Sequence, residues 1–192
     1  MLFRLDVNIM KHTYKSLVHI IGLTLILAAC SQPAGNYEDT PYDTTATDEG
    51  QSSSVIDFTV LDISGNQVSL SDYVTYEKPI VINFWTTWCP GCVNKLPDFQ
   101  NAYDRFGDDV IFMAINITDG QRETKELVED FIASGGYTFP VYFDTTMDAT
   151  EAYSVQNIPV TFLLDRQGNL DEVLLGATDE TTFLYKIERL LD

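Results

Sequence analysis

Residues 84–92 read Phe84-Trp85-Thr86-Thr87-Trp88-Cys89-Pro90-Gly91-Cys92. Residues 80–85, which lead into the cysteines, are almost wholly apolar, as is typical of a central strand buried on both faces. A helix is predicted over residues 90–106. Pro90 would lie in its first turn, where proline is tolerated. Pro97 lies inside this helix and is expected to kink it. The two cysteines therefore lie where a buried strand gives way to a helix.

A cysteine at the start of a helix is chemically special. The thiolate is the nucleophile of disulfide exchange, and free N–H groups and the helix dipole lower the pKa of a thiol placed there. Cys89 occupies that position and is the expected attacking thiol. Cys92 lies one helical turn further on and can close a ring with Cys89, which would release a mixed disulfide.

Two other interpretations of the pair are a static disulfide and half of a zinc site. Zinc usually needs four ligands. The only other cysteine is Cys30, and the two histidines, His12 and His19, both precede it. A Cys-x-x-Cys-His haem site is excluded because Val93 follows the pair. We therefore expect no metal and no cofactor.

Composition narrows the class of protein. The 192 residues are 45% hydrophobic, which is enough for one domain with a full core, and carry a formal charge of −18. Such a surface repels phosphate backbones, so no nucleic-acid partner is expected. One cysteine pair in a domain of this size is not a disulfide framework.

The N-terminal segment predicts export and lipid anchoring. A short apolar run at residues 17–29 follows Lys11 and Lys15, and it is shorter than a membrane-spanning helix needs. It ends in Leu27-Ala28-Ala29-Cys30, which resembles the lipobox of bacterial lipoproteins, where the cysteine is lipidated after cleavage. Residues 1–29 are thus interpreted as a lipoprotein signal peptide. An ordinary signal peptide and an uncleaved anchor are the alternatives.

The rest of the chain divides into a tether and a domain. Residues 30–54 comprise the lipidated cysteine and a polar segment that has almost nothing to pack, so it should be disordered. Residues 55–192 form the folded domain. Further strands are predicted at residues 58–62, 68–70, 110–117, 139–143, 160–165 and 170–175, and further helices at 123–133, 148–153 and 182–191. This alternation predicts a layered α/β domain.

Residues 84–92 resemble the active-site segment of the thioredoxin superfamily. Their surroundings are similar to its membrane-anchored TlpA/ResA-type branch of redoxins, with an N-terminal hairpin at residues 57–70 and an inserted helix and strand at residues 121–143. A second motif of the branch matches residues 153–165, which read Tyr-Ser-Val-Gln-Asn-Ile-Pro-Val-Thr-Phe-Leu-Leu-Asp. The resemblance implies a thioredoxin-like three-layer sandwich over residues 55–192.

The resemblance also implies a site and a setting. Cys89 and Cys92 would be the catalytic pair of a thiol–disulfide oxidoreductase, and Trp88, Ile158 and Pro159 would contact the substrate. Pro159 would follow a cis bond and face the cysteines, where the neighbouring backbone can pair with an extended substrate. Exported proteins with thiols or disulfides are the expected substrates, and a membrane electron donor the expected reductant. We expect a monomer on the extracytoplasmic face of a bacterial membrane.

Two positions depart from the family pattern. Asn83 stands where thioredoxins have a buried aspartate, and Lys95 stands where some anchored relatives have an acid. Neither candidate proton acceptor is therefore present. Lys95 would favour a thiolate if it lay close to the cysteines, but a solvated position on the helix face is the preferred interpretation.

Several functions fit these residues. A disulfide reductase or isomerase is preferred; cytochrome c maturation is the best-known role of the family, but the sequence does not single it out. A net disulfide oxidant would use the same residues. A thiol peroxidase is disfavoured because Ile82 stands where a peroxiredoxin loop has proline. The remaining alternative is a non-enzymatic binding lipoprotein on the same fold.

Overall fold

The computed structural model describes residues 55–192, so the predicted signal peptide, the tether and Cys30 lie outside the described residues. In chain order the elements are β1 (Thr59–Leu61), β2 (Gln67–Ser69), α1 (Leu70–Val74), β3 (Ile80–Trp85), α2 (Pro90–Phe106), β4 (Ile111–Ile117), α3 (Lys125–Gly135), β5 (Val141–Asp144), α4 (Asp148–Ala152), β6 (Val160–Leu164), β7 (Leu170–Leu175) and α5 (Glu180–Arg189). None of these helices has the length and apolar character that crossing a membrane requires.

The strands form one mixed sheet in the order β2-β1-β5-β4-β3-β6-β7. β3 pairs in parallel with β4 and antiparallel with β6. All six residues of β3 are buried, as the apolar run predicted. The strand that carries the cysteine loop is therefore fixed on both sides.

Successive residues of β3 point into two separate cores. Val81 and Trp85 pack with α2, α3 and α5 on one face. Ile80, Ile82 and Phe84 pack with α1 and α4 on the other. The result is the predicted thioredoxin-like three-layer sandwich, in which β1 and β2 form the N-terminal hairpin and α3 and β5 form the insertion.

Two helices begin at a different residue from the one predicted, because of capping. α3 begins at Lys125 rather than at residue 123, because the Thr124 side chain accepts a hydrogen bond from the Leu127 N–H and caps the helix. α5 begins earlier than predicted because Asp179 caps it in the same way. Helix α2 continues through Pro97 as one element.

Candidate active site

The two cysteines form a disulfide where β3 gives way to α2. Cys89 is the N-cap of α2, Cys92 lies in its first turn, and their Cα atoms are 5.2 Å apart. Pro90 takes the first helical position, where its missing N–H leaves no bond unmade. The Cys89 N–H donates to the carbonyl of Thr86 at 3.4 Å, which closes the turn out of the strand. The pair therefore lies at a helix N-terminus.

The two sulfurs have different surroundings. Cys89 is 7% exposed and Cys92 only 1%. The backbone N–H of Cys92 points at Cys89 Sγ, with 3.2 Å between nitrogen and sulfur. In the reduced protein this N–H and the helix dipole would stabilise a Cys89 thiolate and lower the pKa of that thiol. The arrangement suits Cys89 for attack and Cys92 for resolution.

Ile158 and Pro159 lie against the disulfide. The carbonyl oxygen of Ile158 is 3.8 Å from Cys89 Sγ. The Ile158–Pro159 bond is cis, as expected from the family motif. A Cβ added to Gly91 would lie 3.4 Å from Cδ of Pro159, so the start of α2 lies close to this proline. The antiparallel pairing of β3 with β6 brings these distant segments together.

Trp88 is 42% exposed, next to the cysteines, and is thus accessible to a partner. The guanidinium carbon of Arg122 lies 3.9 Å from the centre of its ring. A cation over an indole face is attractive. Sequence reasoning did not find Arg122, because the contact joins two loops and follows no local pattern.

A glutamate that sequence reasoning also missed contacts the loop before the cysteines. Glu123 is fully buried, and its Oε1 accepts hydrogen bonds from Thr87 N at 2.7 Å and from Asn116 Nδ2 at 2.6 Å. Its Oε2 accepts from Thr87 Oγ1 at 2.7 Å. One signal was available: Thr124 is a good helix N-cap, which leaves Glu123 outside α3 and free to turn inward.

Asn83 joins two strands. It is 3% exposed, and its Nδ2 donates to Thr161 Oγ1 at 2.9 Å and to the carbonyl of Val160 at 3.4 Å. The amide thus ties β3 to β6 just after the Ile158–Pro159 segment.

The preferred interpretation of Lys95 is wrong, because this side chain is buried. It is 5% exposed, and its ammonium lies 3.1 Å from Asp98 Oδ2 and 4.3 Å from the centre of the Phe183 ring. Phe183 belongs to α5, which packs over this face of α2 and excludes water from it. Lys95 therefore links the active-site helix to the C-terminal helix.

A disulfide at the N-terminus of a helix, beside a cis-proline on this sheet, defines a thioredoxin-like thiol–disulfide oxidoreductase. The chain belongs to the AhpC/TSA family, whose characteristic sequence spans residues 52–173.

Within residues 55–192, no three His, Cys, Asp or Glu side chains are grouped so that they could hold a metal ion.

Individual relatives are named as thiol–disulfide oxidoreductases. Sporulation thiol-disulfide oxidoreductase A of Bacillus subtilis (strain 168) is 31% identical over 120 residues, which cover 62% of this chain and 70% of that protein. Thiol-disulfide oxidoreductase ResA of Geobacillus kaustophilus (strain HTA426) is 31% identical over 159 residues, which cover 82% of this chain and 88% of that protein. The crystal structure of StoA from Bacillus subtilis superposes with a TM-score of 0.59 at 28% identity and covers 69% of this chain and 97% of that one.

Proposed function

We propose that this protein is an extracytoplasmic lipoprotein that reduces or isomerises disulfides of exported proteins through Cys89 and Cys92. The observation that carries the proposal is the position of the Cys89 sulfur, which lies between the Cys92 N–H at 3.2 Å and the Ile158 carbonyl at 3.8 Å. The first contact favours a thiolate, and the second offers an acceptor to the backbone of an extended substrate.

Reduction of a substrate disulfide begins when the Cys89 thiolate attacks one of its sulfurs. The substrate S–S bond breaks, a mixed disulfide forms, and the other sulfur leaves as a thiolate that takes up a proton. Cys92 then loses its proton and attacks Cys89; the Cys89–Cys92 bond forms and the second substrate sulfur leaves. Two electrons pass to the substrate, and the disulfide in this structure is the state that ends this half-reaction.

Turnover needs two electrons from outside the domain. A dithiol on a membrane protein would supply them by the same exchange run in reverse, and this is the reductant we propose. Isomerisation needs no net electrons, because a second thiol of the substrate displaces Cys89 from the mixed disulfide.

The leader supports the proposed location. The Leu27-Ala28-Ala29-Cys30 segment follows a short apolar run, which fits export and lipidation at Cys30. An exported apocytochrome c with its two haem-binding cysteines oxidised is one substrate of the proposed class.

A redox titration of the full chain in its own membranes tests the direction of the reaction. The membranes are equilibrated in glutathione buffers, and the free thiols of the pair are counted by mass after alkylation. A potential at or below about −180 mV supports a reductase or isomerase, whereas a potential near −120 mV, on the order of that of a strong protein oxidant, would reverse the assignment. Reduction of hydrogen peroxide faster than of protein disulfides would replace it with a peroxidase.

A further inference from the structure

We infer that Glu123 is a positioning residue for Cys89, which acts through Thr87 to hold the loop that presents the thiol. The inference rests on the proposed role of Cys89 as the attacking cysteine. Only two carboxylates are fully buried within residues 55–192, those of Glu123 and Asp144. Because burying a carboxylate without partners is costly, what such a group binds is informative.

Glu123 binds both donors of a single loop residue. The Thr87 N–H donates to Oε1 and the Thr87 hydroxyl donates to Oε2, each at 2.7 Å. Two bonds to one residue fix its rotation as well as its position. The carbonyl of the preceding residue, Thr86, accepts from the N–H of Cys89, so the restraint on the loop reaches the N-cap of α2.

Residues in β4 and in the loop after it hold both the side chain and the backbone of Glu123. Asn116, in β4, donates to its Oε1 at 2.6 Å, and Asn116 Oδ1 accepts from Thr118 Oγ1 at 2.8 Å. Asp119 Oδ1 accepts the backbone N–H of Glu123 at 2.9 Å and also those of the two residues before it. The carboxylate therefore transmits the position of the sheet to the cysteine loop.

This restraint matters because the chain has no acid at residue 83 or 95 to assist the thiols. The contact in the structure that favours a Cys89 thiolate is the 3.2 Å approach of the Cys92 N–H, which is sensitive to the position of the loop. A displacement of about 1 Å at an active site can slow a reaction on the order of 100-fold.

Position and charge predict opposite effects on the Cys89 thiol. If Glu123 acted by its negative charge, removing that charge would lower the pKa of Cys89. If it acts by position, releasing the loop takes the sulfur away from its N–H donor and raises that pKa. Glutamine separates the two, because its oxygen can accept the two N–H donors and its amide can donate to Thr87 Oγ1.

The experiment compares Glu123→Ala, Glu123→Gln and the matched control Asp144→Ala in the full chain. Asp144 is as buried as Glu123, but it binds Thr150 of α4 at 2.6 Å and 2.8 Å rather than the cysteine loop. The readouts are the rate of reduction of a protein disulfide and, in a Cys92→Ser background, the pH profile of Cys89 alkylation followed by peptide mass.

We expect Glu123→Ala to slow reduction by about 10- to 100-fold and to move the alkylation midpoint to higher pH. Glu123→Gln should stay close to the unchanged protein. Asp144→Ala should lower stability without moving either readout. If Glu123→Ala fails to fold, Thr87→Val should give a smaller change in the same direction.

An unchanged rate and profile in Glu123→Ala, a midpoint that moves to lower pH, or an equal shift in Asp144→Ala would overturn the inference. Failure of the proposed function is a separate outcome: the unchanged protein would not reduce disulfides, or its mixed disulfides would form through Cys92.

Discussion

The guanidinium carbon of Arg122 lies 3.9 Å from the centre of the Trp88 ring, while the adjacent Glu123 binds Thr87. Two consecutive residues before α3 thus contact two consecutive residues before Cys89. The inserted segment is therefore part of the active-site surroundings, and substitutions in it should change the reactivity of the cysteines.

The roles of the cysteines can be separated by trapping. Cys92→Ser should accumulate mixed disulfides through Cys89, because the resolving thiol is missing and Cys89 is the less buried of the two. Cys89→Ser should be inactive. Non-reducing gels with mass spectrometry of the trapped species measure both variants. Trapping mainly through Cys92 would mean that the roles are reversed.

Lys95 offers a test of stability. Lys95→Glu should lower the free energy of unfolding by about 2–4 kcal/mol, because it places a buried carboxylate beside Asp98 and against the negative face of Phe183. Lys95→Met keeps most of the apolar stem and should cost less than about 1.5 kcal/mol. Urea unfolding measures both. Equal and negligible losses would contradict the buried position of Lys95.

Alkaline pH should destabilise the domain. Burial, and secondly the charge of Asp57, raise the pKa of Tyr153 from 10.0 to about 12. The folded state then holds this proton more tightly than the unfolded chain does. The contribution of Tyr153 to the free energy of unfolding is therefore fully present below pH 10 and is lost as the pH rises towards 12. Burial and the hydrogen bond between the Tyr142 and Tyr73 hydroxyls also raise the pKa of Tyr142.

Tyr153→Phe provides the control for that loss. Denaturant unfolding at a series of pH values should show a shallower decline above pH 10 in the variant than in the unchanged protein. Identical declines would show that Tyr153 does not contribute to them.

Anchoring is tested at Cys30. The mass of the membrane form should show a mature N-terminus at Cys30 carrying two or three acyl chains, since that is the modification that a lipobox at residues 27–30 would direct. Cys30→Ser should release the protein into the soluble fraction. A native protein that is soluble, with an unmodified Cys30, would refute lipidation.

The position of the cysteines could be predicted from local sequence. The apolar run of residues 80–85 and Pro90 at the first helical position are enough to place Cys89 at a strand-to-helix junction. The contact between Ile158 and Cys89 is different, because it joins positions 69 apart. No local pattern encodes such a contact, and only the family motif pointed to it.

The environments of Lys95 and Glu123 could not be predicted for a related reason. Both are charged residues in helical patterns, where a solvated face is the usual outcome. Lys95 is buried because α5 covers it, and Glu123 is buried because three donors from two other segments converge on it. These partners are brought together only by the complete tertiary structure.

The order of the strands has a consequence for a chain that folds while it is being synthesised. The Ile158–Pro159 segment that faces Cys89 leads into β6, which comes late in the chain, long after β3. A chain that emerges from its N-terminus therefore presents both cysteines before the Ile158 carbonyl and before most of the sheet that buries β3. During that interval the dithiol would lack the contact with Ile158, so we expect its exchange with disulfides to be less selective until the last third of the domain has arrived.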